Sequence, residues 1–119
     1  MSNERRIYRG AVLKGEDRGR ALGFPTANVP LADGSVSGIY AARVKIRPDE
    51  APYPAAVYAD TKRGLLEAHL LDFNDELYGC EIEIELFKKI RDTERFDSDA
   101  ALRAAIADDI KKVREYFDT

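Results

Sequence analysis

A single cysteine, a single histidine and the lack of any apolar run of eighteen residues set the first limits on this 119-residue chain. Cys80 alone cannot form an internal disulfide or a cysteine-rich metal cage. Ser-His-Asp chemistry would have to run through His69, the only imidazole. Without a long apolar run no helix can span a membrane, and the start, MSNERRIYRG, lacks the apolar middle of a secretory signal. A soluble cytoplasmic protein with no membrane partner is the expectation. The strand-helix alternation of doubly wound nucleotide folds is missing, as is GxxxxGK[ST], so a nucleotide would be held without either of those phosphate cradles. A net charge of −3 argues against a nucleic-acid partner.

What is present suits one domain over residues 1–119, with 45% apolar composition enough for a single core. The charge is unevenly spread. Residues 1–28 carry six basic residues against three acidic ones, whereas residues 29–119 carry thirteen against nineteen. The N-terminal quarter could therefore attract a small anion, or simply present solvated charges.

Alternating β-formers predict strands at 6–13, 39–46, 55–60, 65–73 and 80–90. In CEIEIELFKKI, Ile82, Ile84 and Leu86 point inward, and Glu81, Glu83 and Glu85 read as a wet sheet face. The proline-rich RPDEAPYP is a loop or edge crossing. From Ser98 the period becomes 3.6, with Ala101, Leu102, Ala105, Ile106, Ile110, Val113 and Phe117 on one stripe. Ser98 is suited to the N-cap and Asp99 to the positive end of the helix dipole. Five or more short strands and one C-terminal helix predict a mainly β fold: an antiparallel barrel or curled sheet, with the helix over an opening or a flank.

Two places could carry chemistry. In the stretch from Lys14 to Asn28, Gly15, Gly19 and Gly23 let backbone amides approach an anion, and Lys14, Arg18 and Arg20 add positive charge, so phosphate is the natural guest. Pro25 stiffens the backbone that leads into Thr26. Thr26 and Asn28, two apart, present neutral oxygens on one side of an extended segment, the ligand type that Mg²⁺ accepts alongside phosphates. The same residues could instead cap a turn through bonds to the backbone.

The second place is LLEAHLLDF, where Glu67 and His69 share one face of an otherwise apolar strand. A half-buried carboxylate needs a reason. Glu67 is either a general base for a substrate hydroxyl or a structural partner of an arginine such as Arg43 or Arg91. His69 reads as a satisfied strand histidine in preference to a catalyst.

The blocks GRALGFPTAN, SGIYAARV, EAHLLDFNDELYG and IRDTERFDSDAALRAAIADDI, taken in that order, resemble the riboflavin kinase family over about Arg9 to Ile110. The resemblance implies a six-stranded antiparallel Greek-key barrel with a C-terminal helix that transfers the γ-phosphoryl of ATP to the 5′-hydroxyl of riboflavin to give FMN, and a monomer is the expectation. A non-catalytic flavin- or nucleotide-binding module of the same fold is the alternative. By position, Thr26 and Asn28 of PTAN would hold Mg²⁺ and the ATP phosphates. The loop from Lys14 to Arg20 would form a flap over ATP, and Glu67 would be the base. Arg91, Phe96 and the helix from Ser98 would wall the flavin. One stretch departs from the family pattern: where ANIGxRPTFG is usual, this chain reads the shorter AVYADTKRG. The chain starts only a few residues before the kinase blocks, so FMN and not FAD is the expected product.

Overall fold

Period-two side chains make six antiparallel strands, and the 3.6-residue pattern makes one helix, in the computed structural model, which describes residues 6–14, 22–73 and 75–118. The strands are β1 (Arg6–Ala11), β2 (Ala27–Pro30), β3 (Gly38–Lys45), β4 (Tyr53–Asp60), β5 (Leu65–Leu70) and β6 (Glu81–Arg91), and the helix is α1 (Asp99–Phe117). Their order in the sheet is β1-β6-β3-β4-β5-β2. The two ends of that sheet come together where the Leu13 amide donates to the Asn28 carbonyl at 2.8 Å. The result is the mainly β, nearly closed six-stranded barrel with a C-terminal helix that the family resemblance implies.

The barrel interior is filled by branched side chains, among them Val29, Val36, Val44, Val57, Leu66 and Ile84, all fully buried. On β6 the alternation runs as the sequence predicts: Ile82, Ile84 and Leu86 are buried, and Glu83 turns outward to pair with Arg9 at 2.7 Å. Where β1 diverges from β2, side chains close the seam. Tyr8 donates to Asp33 at 2.9 Å, Arg6 donates to Ser35 at 2.7 Å, and the Ser35 hydroxyl and amide donate to Asp33. The Ser35 hydroxyl, the Ser35 amide and the Tyr8 hydroxyl together hold the Asp33 carboxyl down to about 2.

Helix α1 covers a flank of the barrel and not its mouth. Ser98 is the N-cap, accepting from the Ala101 amide at 3.0 Å, and Asp99 opens the helix. Its stripe settles on the outer face of β3 and β4, where Ala41 and Ala56 are small enough to admit Val113, which is fully buried. Small residues under a helix let its axis approach the sheet, so β3 is packed on both faces. Gly38, with φ +97°, starts β3 against the end of β6, where an added Cβ would stand 2.5 Å from the Arg91 carbonyl oxygen.

Sequence patterns missed β2, whose four residues are too few to show a period and end in Pro30. They also carried β5 past Leu70, where Leu71 and Asp72 turn, Asp72 at φ +58°.

Candidate active site

Strand pairing carries one row of side chains across the outer face of the barrel. Asn28 on β2 stands opposite Glu67 on β5, Glu67 opposite Tyr58 on β4, Tyr58 opposite Ile39 on β3, and Ile39 opposite Arg91 on β6. Directly opposed residues of antiparallel strands project to the same side, with Cβ atoms about 5 Å apart. Neighbours in sequence alternate inward, as Val29, Leu66, Ala68 and Val57 do, so this row is the outward one. Above it α1 and residues 91–96 enclose a cleft of about 280 Å³. Ile39, Tyr58, Glu67 and His69 form its floor, Leu102 and Ile106 of α1 its roof, and Phe24 and Phe96 also line it.

The segment entering β2 is fastened from two directions. Arg103 of α1 reaches the Leu22 carbonyl at 3.4 Å, and Gly23 turns the chain with φ +92°. His69 Nδ1 lies 2.8 Å from the Pro25 carbonyl oxygen, and its ring meets Phe24 edge to face at 5.6 Å. A carbonyl only accepts, so Nδ1 carries the proton and His69 fixes the loop on β5. Thr26 comes next, its hydroxyl donating to Oδ1 of Asn28 at 3.0 Å. Asn28 is buried and Thr26 exposed, so the pair opens outward through Thr26. Thr26 also lines a second, smaller cleft of about 140 Å³ with Val12, Phe73, Asp75 and Glu76 among its walls.

Lys14 is exposed and lies next to the Leu13–Asn28 bridge, which brings the start of its loop beside the Thr26–Asn28 pair. Gly15, Arg18, Gly19 and Arg20 lie outside the described residues. Pro25 is exposed, at the rim of both Thr26 and the smaller cleft. Arg91 lines the same cleft as Thr26 and Glu67, from the β6 end of the row. Its guanidinium is bidentate to Asp109 of α1, both bonds at 2.8 Å, and it lies over the Phe96 ring at 5.6 Å. Bonding to Asp109 pushes Arg91 above its ordinary value against the opposing effect of burial.

The arginine beside Glu67 is neither of the two that the sequence suggested. Arg43 lies over Phe87 and Phe117, at 5.0 and 4.6 Å from the ring centres, and Arg91 is bound to Asp109. Arg63, from the turn after β4, approaches Glu67 at 4.0 Å. That turn is shaped by buried Asp60, which accepts from the Arg63 amide at 3.1 Å.

Besides Arg63, Asp109 and Tyr58 of the cleft escaped sequence reasoning. Asp109 is a buried acid within the apolar stripe, between Ile106 and Val113, and that position was its one visible signal. Tyr58 shares a face with Glu67 only through the β4–β5 register, which no local pattern reveals. Burial, followed by the charges of Asp60 and Glu67, pushes its phenol up from the ordinary value, while a bond with the Thr93 side chain opposes this.

The family model described as "Flavokinase: Riboflavin kinase" matches residues 3–117. A bifunctional riboflavin kinase/FMN adenylyltransferase of Escherichia coli K12 is 43% identical over 116 residues, covering 91% of this chain and 37% of its own. The chain thus spans little more than a third of the length of the curated relatives it matches. Among solved structures, a riboflavin kinase from Trypanosoma brucei superposes with a TM-score of 0.66 at 28% identity, over 92% of this chain and 78% of that one. A Streptococcus pneumoniae chain described as a macrolide-efflux protein superposes with a TM-score of 0.76 at 32% identity, over 91% of this chain and 38% of its own. No helix among the described residues here is long and apolar enough to cross a membrane.

Proposed function

From the premise that the chain belongs to the riboflavin kinase family, we propose that it transfers the γ-phosphoryl of ATP to the 5′-hydroxyl of riboflavin, giving FMN and ADP. One observation carries this reading more than any other: Asn28 and Glu67 are cross-strand neighbours on the cleft face, with Thr26 bonded to Asn28 at 3.0 Å. A carboxylate beside two neutral oxygens is the arrangement needed to deprotonate a hydroxyl next to a neutralised phosphate chain.

In this reading the flavin ring enters the larger cleft, where Ile39, Phe96, Leu102 and Ile106 offer apolar surface, and its ribityl end reaches Glu67. Glu67 accepts the proton as the 5′-oxygen forms its bond to the γ-phosphorus and the bond to the β-γ bridging oxygen breaks. Hydrogen-bonded strands on both sides hold Glu67 in place, so little reorganisation is needed.

The residues present fit Mg²⁺. Thr26 and Asn28 bring a hydroxyl and a carboxamide oxygen together, the neutral oxygen donors that would hold Mg²⁺ alongside phosphates. Among the described residues no group of three His, Cys, Asp or Glu side chains could hold a metal alone, so phosphate oxygens would complete the shell. Bound there, Mg²⁺ would neutralise charge on the phosphates. Lys14 stands where a nearby cation would meet them, and Gly15, Arg18, Gly19, Arg20 and Gly23 belong to the same proposed phosphate-facing loop. Pro25 serves by fixing the approach to Thr26. Arg91 holds the flavin side of the cleft through Asp109.

Incubation with riboflavin, Mg²⁺ and ATP, CTP or GTP, with chromatography of the flavins, tests the reading. FMN formed with ATP is the expected result. Flavin binding without FMN from any donor would support the non-catalytic module in its place.

A further inference from the structure

Tyr58 has no task in the proposed phosphoryl transfer, yet it is the aromatic residue of the row and Glu67's direct neighbour on β4. It is directly opposite Glu67 on one side and Ile39 on the other, half-buried, and part of the cleft floor. Thr93, in the segment that closes the cleft, lines it together with Tyr58.

Position along the row decides what Tyr58 can touch. If a substrate hydroxyl meets Glu67, an extended five-carbon chain carries the attached ring about 7 Å away, between one and two strand spacings of about 4.8 Å across the sheet. That step ends over Tyr58 and Ile39. Of these two, only Tyr58 offers a flat aromatic surface, and offset stacking of planar rings is favourable beyond simple area burial.

Resting on the kinase reading, we propose that Tyr58 is a substrate-binding residue: its ring, set between Glu67 and Ile39 by strand register, supports the isoalloxazine ring of riboflavin. The contact sets affinity for the flavin and leaves the nucleotide untouched.

Riboflavin binding monitored by flavin fluorescence, with initial-rate kinetics in parallel, tests this on the full chain. Tyr58→Phe keeps the ring and should bind riboflavin within about threefold of the unaltered chain, whereas Tyr58→Ala should weaken binding about tenfold or more. KM for riboflavin should rise in the alanine variant while KM for ATP stays the same. Tyr58→Leu retains apolar bulk, so if the alanine variant fails to fold the comparison passes to leucine, which should lose affinity that phenylalanine keeps. Equal riboflavin affinity of the alanine or leucine variant and the unaltered chain overturns the inference and leaves the kinase reading standing. Failure of the unaltered chain to bind riboflavin overturns both.

Discussion

Asn28 and Glu67 face one another across β2 and β5, and the side chain of Asn28 is in turn bonded to Thr26. Three groups proposed for one reaction thus meet, Asn28 and Glu67 set by strand pairing and Thr26, just before β2, by its bond to Asn28. Thr26→Val keeps the shape and removes the metal-facing oxygen. Its expected effect is a ten- to hundredfold loss in kcat/KM, on the order of the 1–3 kcal/mol of a charge-assisted contact, with a higher Mg²⁺ requirement. Initial rates across a Mg²⁺ series check this, and unchanged Mg²⁺ dependence would count against the assignment.

The Arg91–Asp109 pair joins the end of β6 to α1, with side-chain exposures of 19% and 5%. Asp109→Ala leaves a mostly buried guanidinium without its partner and should cost about 3–5 kcal/mol in denaturant unfolding. Asp109→Asn, which keeps one acceptor for Arg91, should cost less. If the alanine variant matches the unaltered protein, the pair does not hold the helix to the barrel.

The Asp33 clamp predicts a pH effect. Its carboxyl is lowered from 3.8 to about 2 on folding, so the ionised form is favoured in the folded state. A depressed carboxyl stabilises the fold above its unfolded value and loses that contribution as protonation sets in. The stability gap between the unaltered protein and Asp33→Asn should hold steady above pH 3.8 and shrink as pH falls towards about 2. Unfolding curves of the two proteins across this window provide the check, and a gap independent of pH would contradict the clamp.

Gly38→Ala should destabilise the fold by about 1–3 kcal/mol, because the position has a left-handed φ and its Cβ would press on the Arg91 backbone. Thermal unfolding measures this. The loss should exceed that of Gly34→Ala, where an added Cβ meets nothing within 4 Å.

How much of the molecule is legible in its sequence depends on physical range. Ile82, Ile84 and Leu86 announce β6, and Ser98 announces α1, because period and capping are local. Thr26, Asn28 and Glu67 could be named one by one from their chemistry. Their meeting could not, since β2 shows no period of its own and its register against β5 is a long-range fact. Asp109 marred the helical stripe, but only the arrival of Arg91 from β6 explains a carboxylate there. Tyr58 illustrates the same limit, sitting in a stretch whose departure from the family pattern was visible and whose neighbour was not.

The kinase reading turns on Glu67 taking the proton from the flavin hydroxyl. FMN formation by Glu67→Gln, measured under saturating ATP, Mg²⁺ and riboflavin with flavin binding recorded in the same preparation, tests it most directly. Retained binding with a rate lower by about 10²- to 10⁴-fold is expected. Turnover equal to that of the unaltered chain would contradict it.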